Sequence, residues 1–327
     1  MIRVAVIGVG HMGQLHAQKW RQHPDVQLVG VYDSDPVRCQ DTARTLGVTA
    51  FPSLEEALAA ADAVTIATPS YTHGALTIQA LRAGCHCLVE KPLATSAAEA
   101  EQLVHLAQQA GLVLMAGHIE RFNPAFLWVR RLGVQPRFVE VHRLHPFRPR
   151  SVDVSVVFDV MIHDLDLLVV LLGSALQRLE AHGVPVLTAR PDIANVRLVF
   201  ANGCVANVTA SRVSAKFLRK MRLFEPYRYV ALDFAERSVE HIQLRLGETA
   251  LMEGEECMAE WISDSGIRSR IVRSRLLGAE SADPLWEEQH AFLRAIQSRA
   301  LEDVGIEQTL EAVQLAERIE QAILGGL

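Results

Sequence analysis

The run Gly8-Val9-Gly10-His11-Met12-Gly13 follows a strand-like segment, Val4–Ile7, and opens an amphipathic stretch, Met12–Gln22. Few turns constrain a fold as tightly. Gly8 permits a sharp turn off the strand, Gly10 lets the backbone approach a phosphate, and Gly13 lets the helix pack closely on the sheet. His11 and Met12 fall at the helix start, where free N–H groups attract anions. A second apolar segment, Gln27–Val31, leads to Tyr32-Asp33, twenty residues past Gly13, where a carboxylate can accept both hydroxyls of an adenosine ribose. These parts in register predict a dinucleotide site built from Gly8, Gly10, His11, Met12, Gly13 and Asp33. An ionised Asp33 repels a 2′-phosphate, so the expected cofactor is NAD. Arg38, in the first turn of the next helix, is the residue able to offset that repulsion.

The same rhythm continues to Gly117. Strand-like runs at Ala63–Ala67, His86–Val89 and Val113–Ala116 alternate with helical patterns at Pro36–Leu46, Leu54–Ala60, Gly74–Ala83 and Ser96–Ala110. Such alternation predicts a parallel sheet covered by helices on both faces. The rhythm then changes. A short helix (Pro124–Arg131), a strand (Arg137–Leu144) and a Pro/Arg-rich loop precede a helix from Asp159 to Leu172. Strands follow at Ala194–Phe200, Val205–Arg212, Arg219–Phe224 and Tyr227–Phe234, with a weaker one at Val184–Leu187, where Pro185 intrudes. Asn202-Gly203 between two of them is a hairpin signal. Helical patterns at Pro284–Arg299 and Gln308–Leu324 come last. The expectation is an α/β chain. Residues 1–117 form an N-terminal Rossmann doubly wound parallel sheet, and residues 118–327 a C-terminal α+β domain with a large, open, mainly antiparallel sheet.

Charge removes other classes. A net charge of −6 over 327 residues does not supply the basic field that nucleic acid requires. The most apolar run, Val160 to Leu172, is broken by His163, Asp164 and Asp166 and is too short for a bilayer. With a strand pattern from the first residues and no leader-like segment, the expected location is the cytoplasm. Cys39, Cys85, Cys87, Cys204 and Cys257 are odd in number and irregularly spaced, which suits reduced thiols. Cys85-His86-Cys87 lacks a second Cys/His pair, so no metal is expected.

Two further elements carry chemistry. Glu90-Lys91-Pro92 ends the strand His86–Val89, at the edge of the sheet where nicotinamide lies in such folds. It reads either as a catalytic lysine or as a surface pair capping a loop. Thr68-Pro69 ends a neighbouring strand and is equally open between a cofactor contact and a plain turn. In Asp159-Val160-Met161-Ile162-His163 a helix would set Asp159 and His163 one turn apart, inside a stretch apolar almost all round. Histidine can take a hydroxyl proton near neutral pH, and a neighbouring carboxylate steadies the imidazolium. The alternative is a core histidine satisfied by Asp159.

Gly8-x-Gly10-x-x-Gly13, Thr68-Pro69-x-x-x-His73, Glu90-Lys91-Pro92 and Asp159-x-x-x-His163, in this order, resemble the glucose-fructose oxidoreductase/inositol dehydrogenase/MocA family. The resemblance covers essentially the whole chain. It implies catalytic roles for Lys91 and His163 with Asp159 in support, and cofactor contacts from Thr68, Pro69, His73, Glu90 and Lys91. A narrower likeness, to the UDP-N-acetylglucosamine 3-dehydrogenase branch, rests on Gly117-His118-Ile119-Glu120-Arg121-Phe122-Asn123-Pro124, on the loop from Pro146-Phe147 to Arg150-Ser151-Val152-Asp153, and on Arg219-Lys220-Met221-Arg222. Ser155 departs from it, standing where an acidic residue is expected.

That likeness implies oxidation of the C3 hydroxyl of a nucleotide sugar to a ketone ahead of an aminotransferase, in lipid A or lipopolysaccharide precursor synthesis. The expected substrate contacts are Lys91, Arg121, Asn123, Arg148, Arg150, Asp159 and His163, with Arg219, Lys220 and Arg222 as further cations. A homo-oligomer, dimer or tetramer, built on the exposed sheet is expected too. Two readings stay beside it: a cyclitol or aldose dehydrogenase, and a non-catalytic nucleotide-binding protein.

Overall fold

The computed structural model describes residues 1–148, 154–277, 282–298 and 305–326. The chain divides into two compact units. One includes Met1–Ile119 and Asp283–Arg318; the other includes Glu120–Pro149 and Ser155–Ala282.

In the first unit β1 (Ile2–Ile7), α1 (His11–Gln22), β2 (Val26–Tyr32), α2 (Pro36–Leu46), β3 (Thr49–Ala50), α3 (Leu54–Ala60), β4 (Ala63–Ile66), α4 (His73–Arg82), β5 (His86–Glu90), α5 (Ala97–Ala110) and β6 (Leu114–Gly117) follow one another. The six strands lie parallel in the order β3-β2-β1-β4-β5-β6. Val4, Ala5, Val6, Val64, Leu88 and Val89 are fully buried, which is why these strands read as unbroken apolar runs. The sheet order reverses direction between β1 and β4, and ligands of such sheets sit at the carboxyl ends beside that reversal. Cys85 and Cys87 are ordinary interior residues here, their Sγ atoms directed at the carbonyls of Leu58 and Cys85.

A domain running unbroken from 118 to 327 was expected, yet Asp283–Arg318 belongs with the first unit. The cause is the inner face of α1. Gly13, His16, Ala17 and Trp20 are buried, and α8 (Pro284–Ser298) brings Phe292 against Trp20 with ring centroids 6.4 Å apart. Lys19 pairs with Asp283 at the start of that helix. Burying two such aromatic side chains contributes about 1.5–3 kcal/mol each.

The second unit begins with α6 (Pro124–Leu132) and β7 (Phe138–Leu144). A π-turn, Val157–Met161, then runs into α7 (Ile162–Leu172). Eight strands follow: β8 (Leu176–Val184), β9 (Ile193–Phe200), β10 (Val205–Ser211), β11 (Leu218–Glu225), β12 (Arg228–Asp233), β13 (Ser238–Leu246), β14 (Glu255–Ile262) and β15 (Arg268–Leu277). With β7 they form one nine-stranded sheet in the order β14-β15-β13-β12-β11-β7-β10-β9-β8. Among the described strands of this sheet only β7 and β10 run parallel as neighbours. The Asn202-Gly203 hairpin joins β9 to β10, with Gly203 at φ 82°.

The weaker strand expected at Val184–Leu187 is displaced: β8 ends at Val184, because Pro185 has no N–H for the ladder. The sheet has one covered face and one open face. Val139, Val141, Val196, Val208, Met221 and Leu223 are buried, whereas Glu140, His142, Arg197 and Asn207 alternate with such residues and stay partly exposed or exposed.

Candidate active site

The glycines after β1 separate packing from ligand space. Gly8 sits at φ 84°, and a Cβ there would lie 2.6 Å from Thr68 Cγ2. A Cβ at Gly13 would lie 1.9 Å from the Gly8 carbonyl oxygen, so the first turn of α1 must carry glycine to reach the sheet. Gly10 is different: a Cβ there would meet nothing within 4 Å. Packing does not require glycine at this position, and the room left at the start of α1 suits a phosphate. No side chain caps α1 and no acidic residue lies in its first turn, so its N–H groups and positive dipole end remain for an anion. His11 is exposed and Met12 half-buried on the same turn.

Asp33 lies just past β2. Its Oδ2 accepts the Val9 N–H at 2.8 Å and its Oδ1 accepts the Asp35 N–H at 2.9 Å. Arg38 forks across the same carboxylate, donating from Nε at 3.0 Å and from a terminal nitrogen at 2.8 Å. Burial pushes the Asp33 carboxyl up, but Arg38 and the two backbone N–H groups outweigh it and hold the group below the usual carboxylate range. The carboxylate is therefore ionised and fixed against the glycine turn. Arg38 thus neutralises the carboxylate expected to read the ribose, and hydroxyls binding there would compete with it for the same oxygens. Asp33→Ala is expected to weaken NAD binding about 10- to 100-fold, the value of one or two hydrogen bonds to a charged group, and to narrow the preference for NAD over NADP. Titration of both nucleotides checks this; equal dissociation constants for the two in the parent protein would reject it.

At the carboxyl ends of β4 and β5 one histidine bridges two loops. His73, buried at the start of α4, has Nδ1 2.7 Å from the Pro92 carbonyl and Nε2 2.9 Å from the Thr68 carbonyl. Carbonyl oxygens only accept, so the ring makes both bonds only with a hydrogen on each nitrogen. Thr72 adds hydrogen bonds to Thr68 Oγ1 and the Pro69 carbonyl, both at 2.7 Å. Thr68, Pro69 and His73 therefore frame the sheet end. Lys91 is half-buried there, in a cis Lys91–Pro92 unit. The preceding Glu90 has Oε1 3.0 Å from His16 Nε2 and accepts the Lys91 N–H on Oε2 at 3.3 Å. Burial pushes the Glu90 carboxyl up, but His16 first, and then Lys91 and His73, hold it low.

In the second unit the expected Asp159–Leu172 helix begins as the π-turn. The Ile162 N–H reaches back to the Val157 carbonyl, an i→i+5 step that widens the turn between Asp159 and His163. From Val154 to Val169 every residue is buried except Asp159 and His163, both half-open. In a segment otherwise packed on all sides, one carboxylate and one imidazole four residues apart keep partial exposure. Ser155, at the departure from the narrower likeness, is buried, and its carbonyl accepts the Asp159 N–H at 3.0 Å.

The cationic candidates divide. Arg121 forks onto Asp166, and Asn123 donates to Glu120 at 3.0 Å and to the Phe234 carbonyl at 3.1 Å while capping α6 through the Ala125 N–H. Both are held in the structure of the unit. Arg143, buried, bridges Glu120 and Asp164 at 2.8 Å each. Strand alternation splits Arg219-Lys220-Met221-Arg222. Arg219 shares the covered face with Met221 and lies over the Phe217 ring at 4.7 Å. Lys220 and Arg222 point to the open face, paired with Asp233 and Glu140. The period of two in a strand already dictated that split. Arg148 is exposed in the segment after β7; Arg150 lies outside the described residues. His16 was missed in the sequence, although it occupies an inward position of α1 in line with Gly13, Ala17 and Trp20.

A parallel sheet with a glycine-lined helix start, a fixed carboxylate on the next strand and a lysine two strands away defines an NAD-dependent oxidoreductase. A model of an oxidoreductase family with NAD-binding Rossmann fold matches residues 2–118, and one of the GFO/IDH/MocA C-terminal domain matches residues 134–224. The chain belongs to the glucose-fructose oxidoreductase/inositol dehydrogenase/MocA family.

It is 44% identical over 245 residues to the UDP-N-acetylglucosamine 3-dehydrogenase of Acidithiobacillus ferrooxidans, covering 75% of this chain and 77% of that one. A solved structure of that enzyme superposes with a TM-score of 0.86 at 35% identity, over 99% of this chain and 98% of the other. The scyllo-inositol 2-dehydrogenase (NAD(+)) of Bacillus subtilis is 29% identical over 235 residues, 65% of this chain and 68% of that one. Among the described residues, no helix is long and apolar enough to cross a membrane.

Proposed function

We propose that this protein oxidises the C3 hydroxyl of UDP-N-acetylglucosamine to the 3-keto sugar. NAD, held by the Gly8–Gly13 turn and Asp33, supplies the two-electron acceptor. In the reaction the C3–H bond breaks with its electron pair leaving as hydride, the C3–O bond becomes a carbonyl, and the hydroxyl proton leaves to a base. His163 takes that proton, with Asp159 stabilising the imidazolium, and Lys91 holds the hydroxyl oxygen. The observation that carries this reading is the pair Asp159/His163, the half-open residues of an otherwise buried stretch. A non-catalytic binder has no need of a carboxylate and an imidazole left half-open in an apolar stretch.

The substrate rests on the likeness to the Acidithiobacillus ferrooxidans enzyme, at 44% identity. A charged diphosphate on an acidic protein needs local cations. The cations assigned to it are Arg219, which lies over the Phe217 ring and 3.5 Å from Glu120, and the exposed Arg148. The ketone suits a following aminotransferase, as in the making of amino-sugar lipid A precursors in the cytoplasm. Assembly of copies through the open face of the nine-stranded sheet completes the reading.

The test follows NADH formation with UDP-N-acetylglucosamine, free N-acetylglucosamine and myo-inositol, in the parent and in Arg219→Met. The nucleotide sugar should be turned over well and the free sugars poorly. Arg219→Met should raise KM about 10-fold or more, as the loss of a charged contact to phosphate does. Turnover of inositol alone would defeat the substrate and leave the family's cyclitol chemistry in its place.

A further inference from the structure

The end of β5 is tied to a helix almost two hundred residues later by a chain of buried polar groups. Gln289 of α8, fully buried, places its amide Nε2 3.1 Å from His16 Nδ1 and 3.1 Å from the His16 carbonyl. His16 is also fully buried, and its Nε2 faces Glu90 Oε1 at 3.0 Å. The other Glu90 oxygen accepts the Lys91 N–H. All four residues belong to the first unit.

The chain has a direction. The carbonyl of His16 can only accept, so the Gln289 group facing it is the NH₂, and that NH₂ donates to Nδ1 as well. With Nδ1 accepting, the ring hydrogen sits on Nε2 and is donated to Glu90. Reversing the amide would set the Gln289 Oε1 against the His16 carbonyl, acceptor against acceptor. Gly117 of β6 leaves room beside the carboxylate: a Cβ there would lie 3.4 Å from Glu90 Oε2. The charged and titratable groups facing Glu90 are His16 from α1, His73 from α4 and Lys91 on its own strand.

We infer that Gln289 and His16 are positioning residues for Lys91: Gln289 selects the Nε2–H form of His16, and His16 holds the Glu90 carboxylate that fixes the Lys91 backbone. The inference rests on the reading of Lys91 as a catalytic group. Neither residue touches the reacting atoms. What they provide is a rigid base for a lysine that has to meet one hydroxyl. A carboxylate that accepts fixed hydrogen bonds also stays ionised over a wider pH range, because its charged form is the one hydrogen-bonded.

Two measurements test it. In protein carrying ¹⁵N-labelled histidine, His16, assigned by the signal lost in His16→Gln, should show an unprotonated Nδ1 and a protonated Nε2; the opposite tautomer would overturn the inference without reference to activity. The second compares kcat across pH for the parent, His16→Leu, His16→Gln and Gln289→Leu, using whichever sugar the parent oxidises. Glu90 is normally held below the usual carboxylate range, so losing the His16 donor raises its pKa. The acidic limb of kcat in His16→Leu should therefore move to higher pH, and kcat at neutral pH should fall about 10-fold or more, with KM for NAD little changed. His16→Gln, whose amide can still donate to Glu90, should recover most of the rate and return the limb.

Gln289→Leu, which leaves His16 and Glu90 intact, should show the same shift in smaller measure and guards against a variant that fails to fold. A parent-like limb in both leucine variants, or a glutamine variant no better than the leucine one, would overturn the inference. Lys91→Met is measured beside them. If it keeps turnover, the catalytic reading of Lys91 has failed; if it is inactive while His16→Leu is normal, only the positioning chain has.

Discussion

Lys91→Met and His163→Ala are each expected to lower turnover about 10²- to 10⁴-fold, the range typical of a lost proton-transfer or positioning group. NAD affinity should change by far less than the rate, because the glycine turn and Asp33 are built on other elements: Gly8, Gly10 and Gly13 around α1, and Asp33 after β2. Asp159→Asn should fall between, since the amide keeps the shape of the carboxylate and loses its charge beside the imidazole. The Lys91 and His163 variants should fold normally. Lys91 and His163 are half-open residues, and neither fills the core of its unit. Steady-state rates with NADH detection, together with NAD titration, check all three. A His163→Ala protein with near-parent kcat at neutral pH would make the Asp159–His163 stretch structural.

Much of the fold and of the candidate site is legible in the sequence, for identifiable reasons. The first unit is made of short elements whose sequence signals are local. Five of its strands are continuous apolar runs, and α2 announces itself through Asp35, Pro36 and Gly47, which cap and close it. The carboxylate twenty residues past Gly13 is where the spacing put it, and Asp33 meets Val9 there. The misses are non-local. No pattern within α8 tells that Gln289 faces α1, since that pairing spans a separation of 273 residues.

β14 was invisible for a different reason: nearly all its residues are exposed, so it lacks the alternation by which a strand is recognised. The π-turn was hidden because an inserted step in a helix leaves the apolar pattern almost intact. Arg219, Lys220 and Arg222, named together as further cations, are divided by the period of two, which sets Lys220 and Arg222 on the far side of the sheet from Arg219.

Arg143→Met is expected to destabilise the second unit by about 3–5 kcal/mol, the cost of stranding buried charge. Arg143 is 3% exposed and holds Asp164 with two of its nitrogens and Glu120 with a third. Burial pushes the Asp164 carboxyl up, and Arg143 pulls against that. Removing the guanidinium leaves two acidic groups facing one another in a dry interior. The triple variant Arg143→Met, Glu120→Gln, Asp164→Asn should regain part of the loss, because no buried charge is then left unpaired. Urea unfolding of the three proteins at neutral pH measures this, and a loss under about 1 kcal/mol in Arg143→Met would show that the network is not a structural support. Asp164 follows His163 directly, so the same variant should also disturb turnover, through α7 rather than through the chemistry.

The return of Asp283–Arg318 to the first unit has a consequence for synthesis on the ribosome. A nascent chain that has emerged as far as Ile119 holds every strand of the parallel sheet, yet the inward face of α1, with His16 and Trp20, still lacks α8. At about 5–20 residues per second, the intervening stretch of about 160 residues takes roughly 8–30 seconds to be made. For that interval the inward face of α1 lacks the helix that covers it, and Trp20 has no Phe292 to pack on. A fragment cut at Ala282 would be caught in that state permanently. Expression of the first unit by itself therefore calls for α8 to be joined back onto it.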